Sequence, residues 1–344
     1  MKARRFFAAV VFLATLAAVP TFAQDDRGQR VDGWAFSVEP VFGARLGQCK
    51  EIVWGNSKTV GKYKLSELVY DLAPAWYYGL NAQIQYKRFG VNLLSKFFIP
   101  SKSGRMTDSD WQNDSKFSNG NTSTKTDYSV HDLFLKANNG GIAGFDLELQ
   151  TDFRFYPTSF LTLAPLLSFN AQYLNFRAKN GTGYYGEPDY GNKIIHSYDD
   201  VNHRRVEDFN GKTVIDYDAY NLFIWSGLRA DFLPCSWAKI SLASEVALFY
   251  AMIDHDHHFT TIPPQYFIDI AYSPFYAFRQ TVKAEFKIKK HFSICQKTLF
   301  LITGESSGMM YRKLEGESKY KKESAQAGGQ LMYIDLELSL KFSW

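Results

Sequence analysis

The chain has 344 residues, with 39 Lys and Arg against 35 Asp and Glu, for a formal net charge of +4. So small an excess of positive charge gives no case for a nucleic-acid partner. Aromatic residues are abundant, at 29 Phe, 21 Tyr and 7 Trp, and these favour strands and membrane interfaces.

At the N-terminus, Lys2, Arg4 and Arg5 precede an apolar run over residues 6–19, and Thr21-Phe22-Ala23 puts a small residue at a cleavage point. This pattern predicts a secretory signal peptide over residues 1–23 and a single domain over 24–344. The run is shorter than the ~20 residues of a membrane-spanning helix, and no other segment is long and apolar enough for one. A secreted chain can still cross a membrane as a closed barrel.

Strict alternation begins in the second predicted strand. Trp76, Tyr78, Leu80, Ala82, Ile84 and Tyr86 alternate with Tyr77, Gly79, Asn81, Gln83, Gln85 and Lys87. Phe145, Leu147, Leu149, Thr151, Phe153 and Phe155 alternate with Asp146, Glu148, Gln150, Asp152 and Arg154. At the C-terminus every second residue from Met332 to Trp344 is apolar, and Tyr333, Asp335, Glu337, Ser339, Lys341 and Ser343 lie between. Successive strand side chains point to opposite faces, so each segment has one greasy and one polar face. A soluble sandwich would alternate too. Long strands, a secreted chain and an aromatic last residue favour lipid outside and a polar lumen.

The pattern predicts an all-β, ten-stranded antiparallel transmembrane barrel. Its strands fall near residues 32–50, 63–87, 88–100, 131–153, 159–179, 213–232, 238–258, 265–289, 297–315 and 328–344. Short turns around Lys87-Arg88-Phe89 and Leu233-Pro234-Cys235-Ser236 would face the periplasm. Polar segments 101–130 and 180–212 read as extracellular loops, joined by 255–265. Cys49, Cys235 and Cys295 are odd in number and widely spaced; at most one disulfide and no metal pattern is expected.

Two clusters could carry chemistry. One is Met106-Thr107-Asp108-Ser109-Asp110-Trp111. The other is Ile253-Asp254-His255-Asp256-His257-His258. On a strand, Asp254, Asp256 and His258 share the lumen face, while His255 and His257 point outward. An Asp two residues before a His can fix the imidazole tautomer and raise its basicity, and an i, i+2 carboxylate pair can hold a water. Set across a cleft, the two clusters could hydrolyse a peptide bond without a covalent intermediate. Residue types alone leave two other readings open: a metal site on residues 254–258, or solvated polar strand ends.

At these residues the chain resembles the omptin family of outer-membrane proteases, in patches over residues 33–344. Asp108-Ser109-Asp110-Trp111 is similar to the family's Asp-x-Asp-Trp segment, and Asp254-His255-Asp256-His257-His258 to its Asp-x-Asp-x-His spacing. Thr126-Asp127-Tyr128-Ser129-Val130-His131 resembles a Thr-Asp-x-x-x-His stretch. Gly47-Gln48-Cys49-Lys50-Glu51-Ile52-Val53-Trp54 resembles a Gly-x-x-Lys-Glu-x-Val-aromatic segment, and Phe209-Asn210-Gly211 also fits.

The resemblance implies an endopeptidase with its active site on the extracellular side. Asp256 and His258 would form the dyad, His258 as general base, with Asp108 and Asp110 holding the water. Glu51 and Asp254 would line the acidic pocket for Arg or Lys before the scissile bond, in peptide or protein substrates. His131 would be an accessory histidine. No metal or organic cofactor is implied. The positions matching the family's lipopolysaccharide site hold Phe169, Ala171, Tyr173 and Tyr220, which lack the charges that recognise phosphate, so dependence on lipopolysaccharide is expected to be absent. The rival readings are a non-enzymatic barrel (pore, adhesin or surface receptor) and a metal-dependent hydrolase built on residues 254–258.

Overall fold

The computed structural model describes residues 33–57, 61–111, 124–138 and 140–344. The predicted signal peptide lies outside the described residues. Ten long strands carry the fold: β1 (Trp34–Ser57), β2 (Gly61–Tyr86), β3 (Phe89–Phe98, then Ser101–Trp111), β4 (Lys125–Leu135, then Gly144–Phe153), β5 (Leu161–Gly186), β6 (Thr213–Cys235), β7 (Ala238–His258), β8 (Gln265–Ser273, then Ala277–Lys289), β9 (Phe292–Thr303, then Met309–Leu314) and β10 (Gln326–Ser343).

Each strand pairs antiparallel with its chain neighbours, from β1–β2 through to β9–β10. β10 then pairs with β1, from Ser37↔Ser343 up to Trp54↔Gln326. The ring of pairings closes, so the barrel exposes no unpaired edge to lipid.

The outer face follows from the alternation. Leu80, Ile84, Leu93, Leu149, Leu167, Leu228, Val246, Leu338 and Leu340 are exposed around the middle of the barrel. Aromatic residues flank them: Trp34, Tyr86, Phe89, Phe342 and Trp344 at one end, Trp76, Tyr78, Tyr220, Tyr272 and Tyr276 at the other. From Trp76 to Tyr86, a strand tilted by ~40° descends ~25 Å, the height of a barrel's lipid-facing band. The chain is a transmembrane β-barrel.

The lumen within the band is filled. Arg45 donates to Asp335 (2.8 Å) and Asp146 (2.6 Å), and its guanidinium lies over Tyr333 at 3.7 Å. Lys96 pairs with Asp335 (2.7 Å) and Glu337 (2.5 Å). Arg279 forks onto Glu148 (2.6 and 2.8 Å) and Glu245 (2.8 Å). Bidentate pairing of this kind satisfies charges that would be costly to bury alone.

The structure departs from the sequence reading above the band. The segments 101–111 and 125–130, expected within a loop, are strand: the first is the upper half of β3, and the second extends the upper half of β4 beyond its expected start at 131. β5 likewise runs on to Gly186 and pairs there with a short strand, Arg204–Asp208. The physical reason is solvent: strands standing in water need no apolar face, so their Ser, Thr, Asp and Asn resemble loop composition. A further tight turn falls at residues 290–291. All three cysteines are free and buried.

Candidate active site

The upper barrel wall carries both chemical clusters, and strand register sets their heights. Glu51 of β1 is opposite Leu68 of β2, which is opposite Asp108 of β3, so one cross-strand row holds Glu51 and Asp108. Asp110 lies opposite Ser66 two residues higher and hydrogen-bonds it. On β7, Asp254 is opposite Asp269 of β8, Asp256 opposite Phe267, and His258 opposite Gln265. The i, i+2 expectation holds here: Asp254 and Asp256 are buried toward the lumen while His255 is exposed. His257 is half-buried, stacked on Tyr266 at 3.9 Å.

The two walls meet across the mouth. His258 Nε2 engages Asp256 Oδ2, which leaves Nδ1 as the ring nitrogen able to take a proton. Burial opposes a charged imidazole at His258, but Asp256, joined by Asp108 and Asp110, outweighs it and lifts the ring to about 9. Burial pushes the Asp108 carboxyl well up, reinforced by Asp110 and moderated by His258. Asp110 is raised by burial and eased back by Ser66, His258 and Lys125. Burial also raises Glu51, with Asp256, Asp254, Asp269 and Asp108 adding to it, and raises Asp254, with Asp269 adding to it.

These carboxylates are short of partners. Tyr217 Oη donates to Asp254 Oδ2 at 2.9 Å. Yet Glu51 Oε2, Asp108 Oδ1, Asp254 Oδ1, Asp256 Oδ1 and both oxygens of Asp269 have no hydrogen-bond partner among the described residues. Buried polar atoms are normally satisfied, and so many open acceptor oxygens together can take hydrogen bonds from a polar or cationic group. Below it, Tyr70 stacks on Tyr217 at 4.4 Å and on Phe176 at 5.4 Å, forming an aromatic floor above the lumen networks.

His131 stands apart. Its Nε2 meets Ser129 Oγ at 2.7 Å, its Nδ1 meets the carbonyl of Asn180, and its ring edges onto Phe209 at 5.2 Å. Both nitrogens are therefore occupied, Nδ1 bracing β4 against β5 and Nε2 engaged within β4. The close approach requires Gly181, at φ +100°, where a Cβ would lie 1.9 Å from the Val130 carbonyl oxygen.

Two site residues escaped the sequence reading. Asp269 is fully buried in the acidic cluster, and burial, helped by Asp256, pushes it up to about 8. The signal was an acid inside the apolar run Phe267-Ile268-Asp269-Ile270. Lys125 is the other: its ammonium lies over Tyr128 (4.2 Å), Tyr198 (5.1 Å) and Trp111 (5.7 Å), close enough to act on Asp108 and Asp110.

The fold matches a known barrel. The outer membrane protease OmpT from Escherichia coli superposes with a TM-score of 0.74 at 15% identity, over 95% of this chain and 99% of that one. Ail, the attachment invasion locus protein of Yersinia pestis, gives 0.28 at 10% identity over 91% and 99%. No curated protein matches by sequence. The sequence profile of the Omptin family, however, matches residues 34–344, nearly the whole chain. The chain belongs to the omptin family.

Proposed function

We propose that this barrel is an outer-membrane endopeptidase that cleaves after Arg or Lys by direct attack of water, with its mouth on the extracellular side. The observation that carries the reading is the His258–Asp256 pair facing Asp108 and Asp110 over a cluster of acids with unpartnered oxygens. Family membership and the OmpT-like fold support a protease of the outer membrane. The long connections lie at the same end as the site and the tight turns at 87–88, 236–237 and 290–291 at the other, which supports the orientation.

His258 takes a proton from the water as its oxygen attacks the scissile carbonyl carbon, and Asp256 steadies the imidazolium. Asp108 and Asp110 orient that water. As the tetrahedral intermediate collapses, the carbon–nitrogen bond breaks and His258 returns the proton to the departing amine. Glu51 and Asp254, with Asp269 beside them, receive the guanidinium or ammonium of the preceding residue. Because these acids are held toward their protonated forms, an arriving cation lets them ionise, and binding releases protons. The ion networks crossing the lumen count against a freely conducting pore.

Cleavage-site mapping on a peptide library tests the reading. Wild type should cut after Arg and Lys. Loss of the general base in His258→Ala should cost about 10²–10⁴ in rate. Cleavage by that variant at the wild-type rate would refute the assignment.

A further inference from the structure

The connection between β5 and β6 holds a second cluster that the proposed protease chemistry does not use. After Gly186 the chain forms a two-residue ladder, Pro188–Asp189 with Ile194–Ile195, then turns through residues 198–203 into the strand Arg204–Asp208. Backbone hydrogen bonds set two histidines on either side of Glu187: the His196 N–H donates to the Glu187 carbonyl at 3.2 Å, and the Glu187 N–H donates to the His203 carbonyl at 2.8 Å. Gly186 allows this closure, since a Cβ there would lie 1.9 Å from the His196 carbonyl oxygen.

The two imidazoles consequently stack at 4.1 Å, inclined by 11°. Asp200 sits at their edge. Its Oδ2 is 2.9 Å from His196 Nδ1 and 3.1 Å from His203 Nδ1, while its Oδ1 accepts from the Asn202 N–H at 3.2 Å. One nitrogen from each ring and one carboxylate oxygen thus lie within 4.8 Å of one another.

We propose that His196, Asp200 and His203 bind one divalent transition-metal ion of the zinc class, which clasps this loop at the barrel mouth. Two imidazoles and a carboxylate are the donor set such an ion prefers. Tetrahedral bonds of about 2.0–2.2 Å set neighbouring donor atoms roughly 3.3–3.5 Å apart, so Asp200 Oδ2 needs to draw back from each Nδ1 by only a few tenths of an ångström, while the stacked rings must swing apart to aim both nitrogens at one ion. Two side chains are half-buried and His203 is exposed, so the ion has an entry path and a fourth position for water. The Asn202 N–H holds the carboxylate in place, as an outer partner of a ligand does.

The clasp would reach the protease site through the backbone. Ser197 Oγ donates to the Lys125 carbonyl at 2.9 Å, and the Tyr198 N–H donates to it at 3.3 Å. Tyr198 also packs on Tyr128 at 5.2 Å. Fixing residues 196–203 therefore fixes the loop beside Lys125, at the rim over Asp108 and Asp110.

The test is metal titration of the full barrel, freed of metal by chelation, with Zn²⁺ by calorimetry and with Co²⁺ by its tetrahedral visible bands. Wild type should take up one ion. His203→Ala and Asp200→Asn should weaken that uptake by more than the roughly 10–100-fold that loss of an outer-shell partner costs. Wild type should also lose loop cleavage by an added protease when Zn²⁺ is present, and His203→Ala should not. No stoichiometric uptake by wild type overturns the proposal; so does undiminished uptake by both variants, which would put the ion elsewhere. Because the readouts are uptake and loop protection, failure here leaves the protease reading standing.

Discussion

The most direct test of the dyad is to remove the charge on Asp256 and follow cleavage against pH. Half-buried His258 is carried from 6.5 to about 9, against the cost of burial, by Asp256, Asp108 and Asp110. That rise corresponds to about 3 kcal/mol of net attraction for the imidazolium. Asp256 supplies most of it, being the nearest charge and the hydrogen-bond partner. A protonated ring cannot act as base, so wild-type kcat/KM should climb about tenfold per pH unit between roughly pH 6 and 8, levelling near 9. In Asp256→Asn the strongest opponent of burial is gone, and the limb should fall to near or below the ordinary histidine value. The plateau should also drop by about 10²–10⁴, since the imidazolium formed during attack loses its support. The assay is initial rate on an internally quenched peptide with one Arg, in detergent across the pH range. A wild-type profile flat over that range, or a variant limb unmoved from the wild-type position, would refute the reasoning.

Other outcomes follow from the same geometry. Glu51→Gln should reduce the preference for Arg over a neutral residue by about tenfold or more, the worth of one charge-assisted hydrogen bond, in paired kcat/KM measurements. Arg279→Met strands Glu148 and Glu245 in the lumen and should cost about 3–5 kcal/mol, read as a lowered urea midpoint in lipid vesicles; an unchanged midpoint contradicts the network's importance. The outer wall offers exposed Phe169 and the Tyr173–Tyr220 stack at 4.6 Å, and the Arg177 and Lys136 charges higher on the same wall are both tied to Asp216, so purified barrel in plain detergent should cleave without lipopolysaccharide. A strict requirement for added lipopolysaccharide would show that this wall binds it by other means.

Where lipid forces one face to be apolar, the sequence revealed the structure. Met332 to Trp344 alternate without a break, and that stretch is the lower part of β10. The upper walls escaped notice because water on both sides removes that constraint. Asp108 and Asp110 looked like loop residues, although they sit in a strand. In the site, the shared face of Asp254, Asp256 and His258 is a local property and could be read directly. The row joining Glu51 to Asp108 depends on hairpin register, which no local pattern encodes; motif resemblance put both in the site but paired Glu51 with Asp254 and Asp108 with Asp110. Asp269 had neither a motif nor a same-strand acidic partner, and only its pairing opposite Asp254 gives it meaning.

The lumen network also constrains how such a barrel can be made. Arg45 comes from β1, Lys96 from β3, Asp146 from β4 and Asp335 from β10, so the first and last strands supply charges that neutralise one another. An inserting chain that had not yet received β10 would hold a guanidinium and an ammonium with two of their three carboxylate partners, Asp335 and Glu337, missing, inside hydrocarbon that tolerates neither. Seam closure and charge neutralisation are then a single event. Partly inserted forms are penalised at every stage, and the chain commits to the membrane only as a finished ring.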